Sequence, residues 1–288
     1  MDKSKLIFLS IVVLNVFGQL DLFAQDRFDL EKRDGHLYFT AAIQETPVEL
    51  MMESGIPALL VGHRVYDSCL KSSGLVFQPS RQKIRLLDHL YDIVYRAEGE
   101  IGIGNVLYDG PVFILEDYDG VSVPIQYLKD PVSKRSVLTI DLKDNYLIVG
   151  KSEENDGGTR FKLRFDKELG FPTVAAVVDV VTPDGSSRLK GDLIVDFGNP
   201  ALLFLLKQHK SIARAIEKET LALQDAFNGQ GQLIAQGIYA YTVSMFGREY
   251  SDLSIGVTDK MPSIGQLGFL GIPFFESPVV FDFDHGVM

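Results

Sequence analysis

ESGIPALLV, Glu53 to Val61, and DFGNPALLF, Asp196 to Phe204, are two versions of one phrase. Glu53 answers to Asp196, Gly55 to Gly198, Pro57 to Pro200 and Ala58-Leu59-Leu60 to Ala201-Leu202-Leu203, each at an offset of 143 positions. Each copy follows an apolar, strand-like run, VELMM in the first and DLIV in the second. An apolar run that ends in an acid puts a carboxyl at the rim of a core. Glycine two positions later permits a sharp reversal of the chain. Taken alone, acid-x-Gly after a strand is often only a turn. The repetition gives it weight.

The offset recurs in order along the chain. VLYDG from Val106 corresponds to REYSD from Arg248, pairing Tyr108 with Tyr250 at 142. TIDLKDNYL from Thr139 corresponds to VFDFDHGVM from Val280, pairing Asp141 with Asp282 at 141. A period this long excludes a solenoid and predicts two related lobes, residues 26–151 and 160–288. The polar, Gly-rich SEENDGGT, 152–159, is the expected linker. Related lobes facing each other about a pseudo-twofold axis bring equivalent positions together, so Glu53 and Asp196 are expected to meet. Two carboxyls in contact cannot both ionise and therefore share a proton.

A duplicated apolar-apolar-Asp-Thr/Ser-Gly frame, followed in each lobe by apolar-apolar-Gly, resembles the aspartic peptidases, and the lobe size is closer to the retropepsin-like bacterial branch than to full pepsins. GFLGIPFF, Gly268 to Phe275, and the final VVFDFDHGVM resemble the family's later segments. The resemblance implies a mainly β, bilobal fold, a catalytic pair at Glu53 and Asp196, and a binding turn in each lobe at Ser54-Gly55 and Phe197-Gly198. It implies no metal and no cofactor.

The departures fall on the chemistry. Glu53 stands where the family has Asp, and its extra methylene moves the carboxyl by roughly 1 Å, which can cost about 10²-fold in rate. Phe197 replaces a Thr or Ser whose hydroxyl joins the cross-lobe hydrogen bonds that hold the two loops. Pro124, in SVPI, stands where Gly271 stands in the second half, and proline removes a backbone donor. The expected function is therefore a catalytically degenerate relative that serves as a peptide-binding or scaffold protein. An active endopeptidase using Glu53 and Asp196 is the alternative, and an unrelated surface ligand-binding protein is a second.

The rest of the chain reads mostly as short strands rich in Val, Ile, Tyr and Phe. One long helix is expected over 200–224, where Leu202, Leu203, Leu206, Ile212, Ile216 and Leu221 form a rough apolar face. Tyr91, Tyr95, Tyr239 and Tyr241 are candidates for a flap or cleft wall, although aromatic strand residues commonly serve the core. Two lysines and the apolar run Leu6–Gly18 mark residues 1–25 as an expected signal peptide, and hence an exported, periplasmic or extracellular protein. A net charge of -11 argues against nucleic acid or anionic membrane as partner, and the resemblance implies a peptide or protein in the inter-lobe cleft. The lone Cys69 rules out an intrachain disulfide, and its helix-like context suggests a small buried residue. The five histidines lack metal-ligand spacing, and no Gly-x-Ser-x-Gly occurs.

Overall fold

His36–Ile43 alternates strictly: Leu37, Phe39, Ala41 and Ile43 point into the core while their neighbours face outward. It turns through Gln44 and Glu45, both at positive φ, into Thr46–Glu53, its antiparallel partner. Two positive-φ residues make the tight connection that suits twisted hairpins. Thr46–Glu53 delivers Glu53 to its end. In the second half Pro172–Thr182 and Gly185–Asp196 form the matching hairpin and deliver Asp196.

The structure is a computed structural model that describes residues 27–86, 89–150, 158–227, 233–259, 265–276 and 278–288. The expected signal peptide and all but the last two residues of the expected linker lie outside these.

Beyond the hairpins the two halves keep the same strand order. In the first, Thr46–Glu53 runs parallel to Val121–Pro124, which pairs antiparallel with Leu59–Gly62, which is parallel to Val106–Leu115, which pairs with His89–Ile103. In the second, Gly185–Asp196 runs parallel to Gly268–Gly271, which pairs antiparallel with Leu203–Leu206, which is parallel to Arg248–Thr258, which pairs with Leu233–Met245. Each acid-bearing strand thus lies beside a strand that enters the sheet from much later in its half. The register sets Pro124 opposite Glu53 and Gly271 opposite Asp196, which supports the equivalence of Pro124 and Gly271. A further sheet joins the halves: Val137–Asp141 pairs antiparallel with Tyr146–Val149 on one side and Val279–Asp282 on the other. Thr139 pairs with Val280, its own counterpart at offset 141, so the pseudo-twofold passes between them. The fold is mainly β and bilobal.

The long helix expected over 200–224 is not present. Leu203–Leu206 is a strand, hydrogen-bonded on both sides, and three of its four residues are buried. The helix is only Lys210–Glu217, which starts where the His209 Nδ1 accepts the Ser211 N–H at 3.2 Å. Leucines buried on both faces of a central strand imitate a helical face when read at three- and four-residue spacing. Cys69 is buried in the helical turn after Leu59–Gly62, where its Sγ donates to the Val65 carbonyl at 3.1 Å, and burial pushes its thiol pKa up.

Candidate functional site

The sequence-predicted site residues converge at the seam between the lobes. Glu53 and Asp196 share a hydrogen bond. Ser54 Oγ donates to the Val195 carbonyl at 2.7 Å and accepts the Phe197 N–H at 2.9 Å, so the first lobe's hydroxyl clasps the second lobe's turn. The Gly198 N–H donates to Asp196 Oδ1 at 2.9 Å, and the Gly55 N–H bonds to Asp196 from across the seam.

Both glycines are required by close approach. A Cβ on Gly55 would stand 2.8 Å from Asp196 Oδ1, and one on Gly198 would stand 1.7 Å from Glu53 Oε2. The Glu53 carboxyl thus crowds Gly198 more closely than the Asp196 carboxyl crowds Gly55, the direction that an extra methylene produces.

The electrostatics divide the pair. Burial raises the Glu53 carboxyl well above the usual range, and the charge of Asp196 and the hydrogen bond to it push the same way. Burial also raises Asp196, but the Gly198 and Gly55 N–H groups, the hydrogen bond from Glu53 and the charge of His36 all oppose it. Donors aimed at a carboxylate stabilise its charge. With two N–H donors on Asp196, the arrangement favours the charge there and the shared proton on Glu53. Chemically, Asp196 can accept a proton from water and Glu53 can donate one to a carbonyl oxygen.

This division has a pH consequence. The folded pKa of Glu53 lies above its unfolded value, so its contribution to stability is complete below the ordinary value of 4.5 and is lost as pH rises through the folded pKa. Glu53→Gln keeps the shape without the ionisation. Thermal melts from acid to neutral pH should show the variant gaining on the wild type as pH rises. A difference that stays flat across that range would refute the assignment.

Phe197 does not leave its loop slack, contrary to what loss of the hydroxyl predicts. The ring is fully buried, stacked on Phe275 at 4.8 Å and edge-on to Phe281 at 5.5 Å between centroids. Half of the cross-lobe hydrogen-bond clasp, the half from Ser54, remains, and aromatic packing replaces the other half.

A hairpin of Lys83–Leu86 and the start of His89–Ile103 stands beside the pair. Its Ile84, Leu86 and Tyr91 pack in one apolar cluster with Ile56 of the Glu53 turn and Tyr118. Tyr91 meets Tyr118 edge-on at 5.5 Å, and the Tyr118 hydroxyl lies 2.5 Å from Ser122 Oγ. Of the four candidate tyrosines, Tyr91 is the one in the hairpin that packs with Ile56. Tyr95 stacks on Tyr66, and Tyr239 and Tyr241 pack on each other in the second lobe.

The chain is similar in structure to an aspartic proteinase from Irpex lacteus, at TM-score 0.55 and 10% sequence identity, over 92% of this chain and 96% of that one. The fold is that of an aspartic proteinase. At this identity the likeness extends to the fold alone. No protein-family model matches the chain, and no curated protein matches it.

Sequence reasoning missed two neighbours of the pair. His36 lies close enough for an imidazolium there to favour the Asp196 carboxylate, and its Nδ1 is buried with no hydrogen-bond partner among the described residues. Its position follows from the Asp34–Gly35 turn, which abuts the second lobe so closely that a Cβ on Gly35 would lie 2.5 Å from Pro200 Cβ. The other, Gln126, reaches the Glu53 turn by its side-chain amide. Neither lies in a repeated motif, so the offset that found the acids could not find them.

Proposed function

We propose that this is an exported peptide-binding protein of aspartic-proteinase fold, whose inter-lobe cleft holds an extended peptide without efficient turnover. The observation that carries this reading is the asymmetry of the pair. The Glu53 carboxyl crowds Gly198 more closely than the Asp196 carboxyl crowds Gly55. One extra methylene displaces a carboxyl by roughly 1 Å, which spoils the alignment of water, carbonyl and acid at a cost of about 10²-fold. The flap hairpin and its apolar cluster keep the means of holding a peptide. The apolar N-terminal run supports export.

A second reading, an endopeptidase, is favoured by the hydrogen bond between the carboxyls, which supplies the proton-sharing that such chemistry uses. The deciding experiment incubates the protein with a broad peptide library and, separately, with a statine-containing peptide, across about pH 3–7, the range for carboxyl pairs of this kind. Retention of peptides without cleavage is the expected result. Inhibitor-sensitive cleavage by the wild type, lost in Asp196→Asn, would promote the endopeptidase. Failure to retain any peptide would remove the binding reading.

A further inference from the structure

The two lobes hold their acid-bearing turns by different means. In the second lobe the means is main-chain. The Gly271 N–H donates to the Leu202 carbonyl at 3.1 Å, and the Ile272 N–H donates to the Asn199 carbonyl at 3.0 Å. Gly271 has to be glycine for this, because a Cβ there would lie 2.0 Å from the Ala201 carbonyl oxygen and 2.4 Å from that of Asn199. The segment reads Gly271-Ile272-Pro273.

In the first lobe the corresponding segment is Pro124-Ile125-Gln126, so proline and donor have changed places. Pro124 has no N–H, and its ring carbons take the place that the Ala201 and Asn199 carbonyls fill over Gly271. The carbonyls of the Glu53 turn must then stand further off, beyond the reach of a main-chain donor on this segment. The longer side chain of Gln126 spans the gap. Its Nε2 donates to the carbonyl of Ile56, the counterpart of Asn199, at 3.2 Å, and lies 3.5 Å from the Ser54 carbonyl. Gln126 is itself buried and is anchored through its own carbonyl, which accepts Ser136 Oγ at 3.3 Å.

We infer that Gln126 is a positioning residue, whose side-chain amide makes at Ile56 the bond that the Ile272 N–H makes at Asn199 in the second lobe, and so holds the Glu53–Ile56 turn against the seam. This goes beyond the peptide-binding reading and does not depend on it, since its test uses the free protein without ligand.

The test is a double-mutant cycle on Gln126 and Pro124, read by thermal melting and by carbon NMR titration of the Glu53 carboxyl. Gln126→Ala alone should lower the melting temperature by several degrees and bring the Glu53 midpoint down towards the ordinary carboxylate value, as the loosened turn admits water. Pro124→Gly removes the ring and gives the turn room to close until the Ile125 N–H reaches the Ile56 carbonyl, as Ile272 reaches Asn199 in the second lobe. In that background both effects of Gln126→Ala should shrink. Non-additivity of this sign is expected of groups that serve one contact. Effects as large or larger in the Pro124→Gly background would overturn the inference, as would an unchanged Glu53 midpoint in folded Gln126→Ala. If the alanine variant does not fold, Gln126→Glu keeps the shape and, once ionised, lacks the donor. If Pro124→Gly does not fold, the Glu53 midpoint in the folded Gln126 single variant decides alone.

Discussion

Replacing Phe197 with alanine should lower the free energy of unfolding by about 3–5 kcal/mol, the usual cost of emptying a phenylalanine site in a core. The ring is fully buried and touches Phe275 and Phe281, of which the second lies on the strand that joins the two lobes. The cavity would open beside the seam, where the backbone cannot collapse without pulling Asp196 away from Glu53. Urea titration measures the loss, and Phe197→Leu, which keeps more of the volume, should cost less. A loss below about 1 kcal/mol for the alanine variant would mean that the site relaxes freely and that the aromatic cluster does not hold the second turn. Under the proposed peptide-binding reading, Phe197→Thr is accordingly a poor route to peptidase activity. It would put a hydroxyl where an apolar cluster has been built, and the turn would lose its packing before gaining a bond.

Glu53→Asp is the more direct route. Shortening the side chain by one methylene should draw the carboxyl back from Gly198 and bring its approach closer to that of Asp196 to Gly55. Acid-pH hydrolysis of a peptide library should rise by about 10²-fold over the wild-type background, the factor attached to a misplacement of this size. Asp196→Asn in the same background should abolish the gain, because Asp196 is the member that carries the charge. A Glu53→Asp variant that folds, keeps its partner hydrogen bond and remains at the wild-type rate would place the defect elsewhere, with Pro124 the next suspect.

The acids were legible in the sequence because they sit inside a phrase that is repeated with its glycine, proline and leucines. One offset located Glu53, Asp196, Ser54, Gly55, Phe197 and Gly198 together, and the strand order made the resemblance to the aspartic-peptidase fold concrete. The Pro124–Gly271 equivalence was also legible, from two short apolar segments, and the register agrees with it. The misreadings have physical causes. The strand Leu203–Leu206 was taken for helix because a doubly buried strand has no polar alternation to betray it. Phe197 was read as a missing hydroxyl, since the loss of a polar group shows in one sequence while the gain of a packing partner shows only when Phe275 and Phe281 arrive from far along the chain. Gln126 and His36 were silent because neither has a counterpart of its own type in the other half: Gln126 faces Pro273 across the repeat.

The sheet between the lobes has a consequence for how the protein is made. Val137–Asp141 belongs to the first half, yet one of its two neighbours, Val279–Asp282, is translated some 140 residues later. Until that segment leaves the ribosome, the earlier strand keeps one edge bare, and Phe197 lacks the ring of Phe281 against which it packs. Contacts this distant along the chain close slowly, because the entropy of the long loop is lost before the pairing rewards it. The first lobe therefore waits on the second, and a nascent chain stalled between them would present an unpaired apolar strand, the kind of surface that chaperones bind.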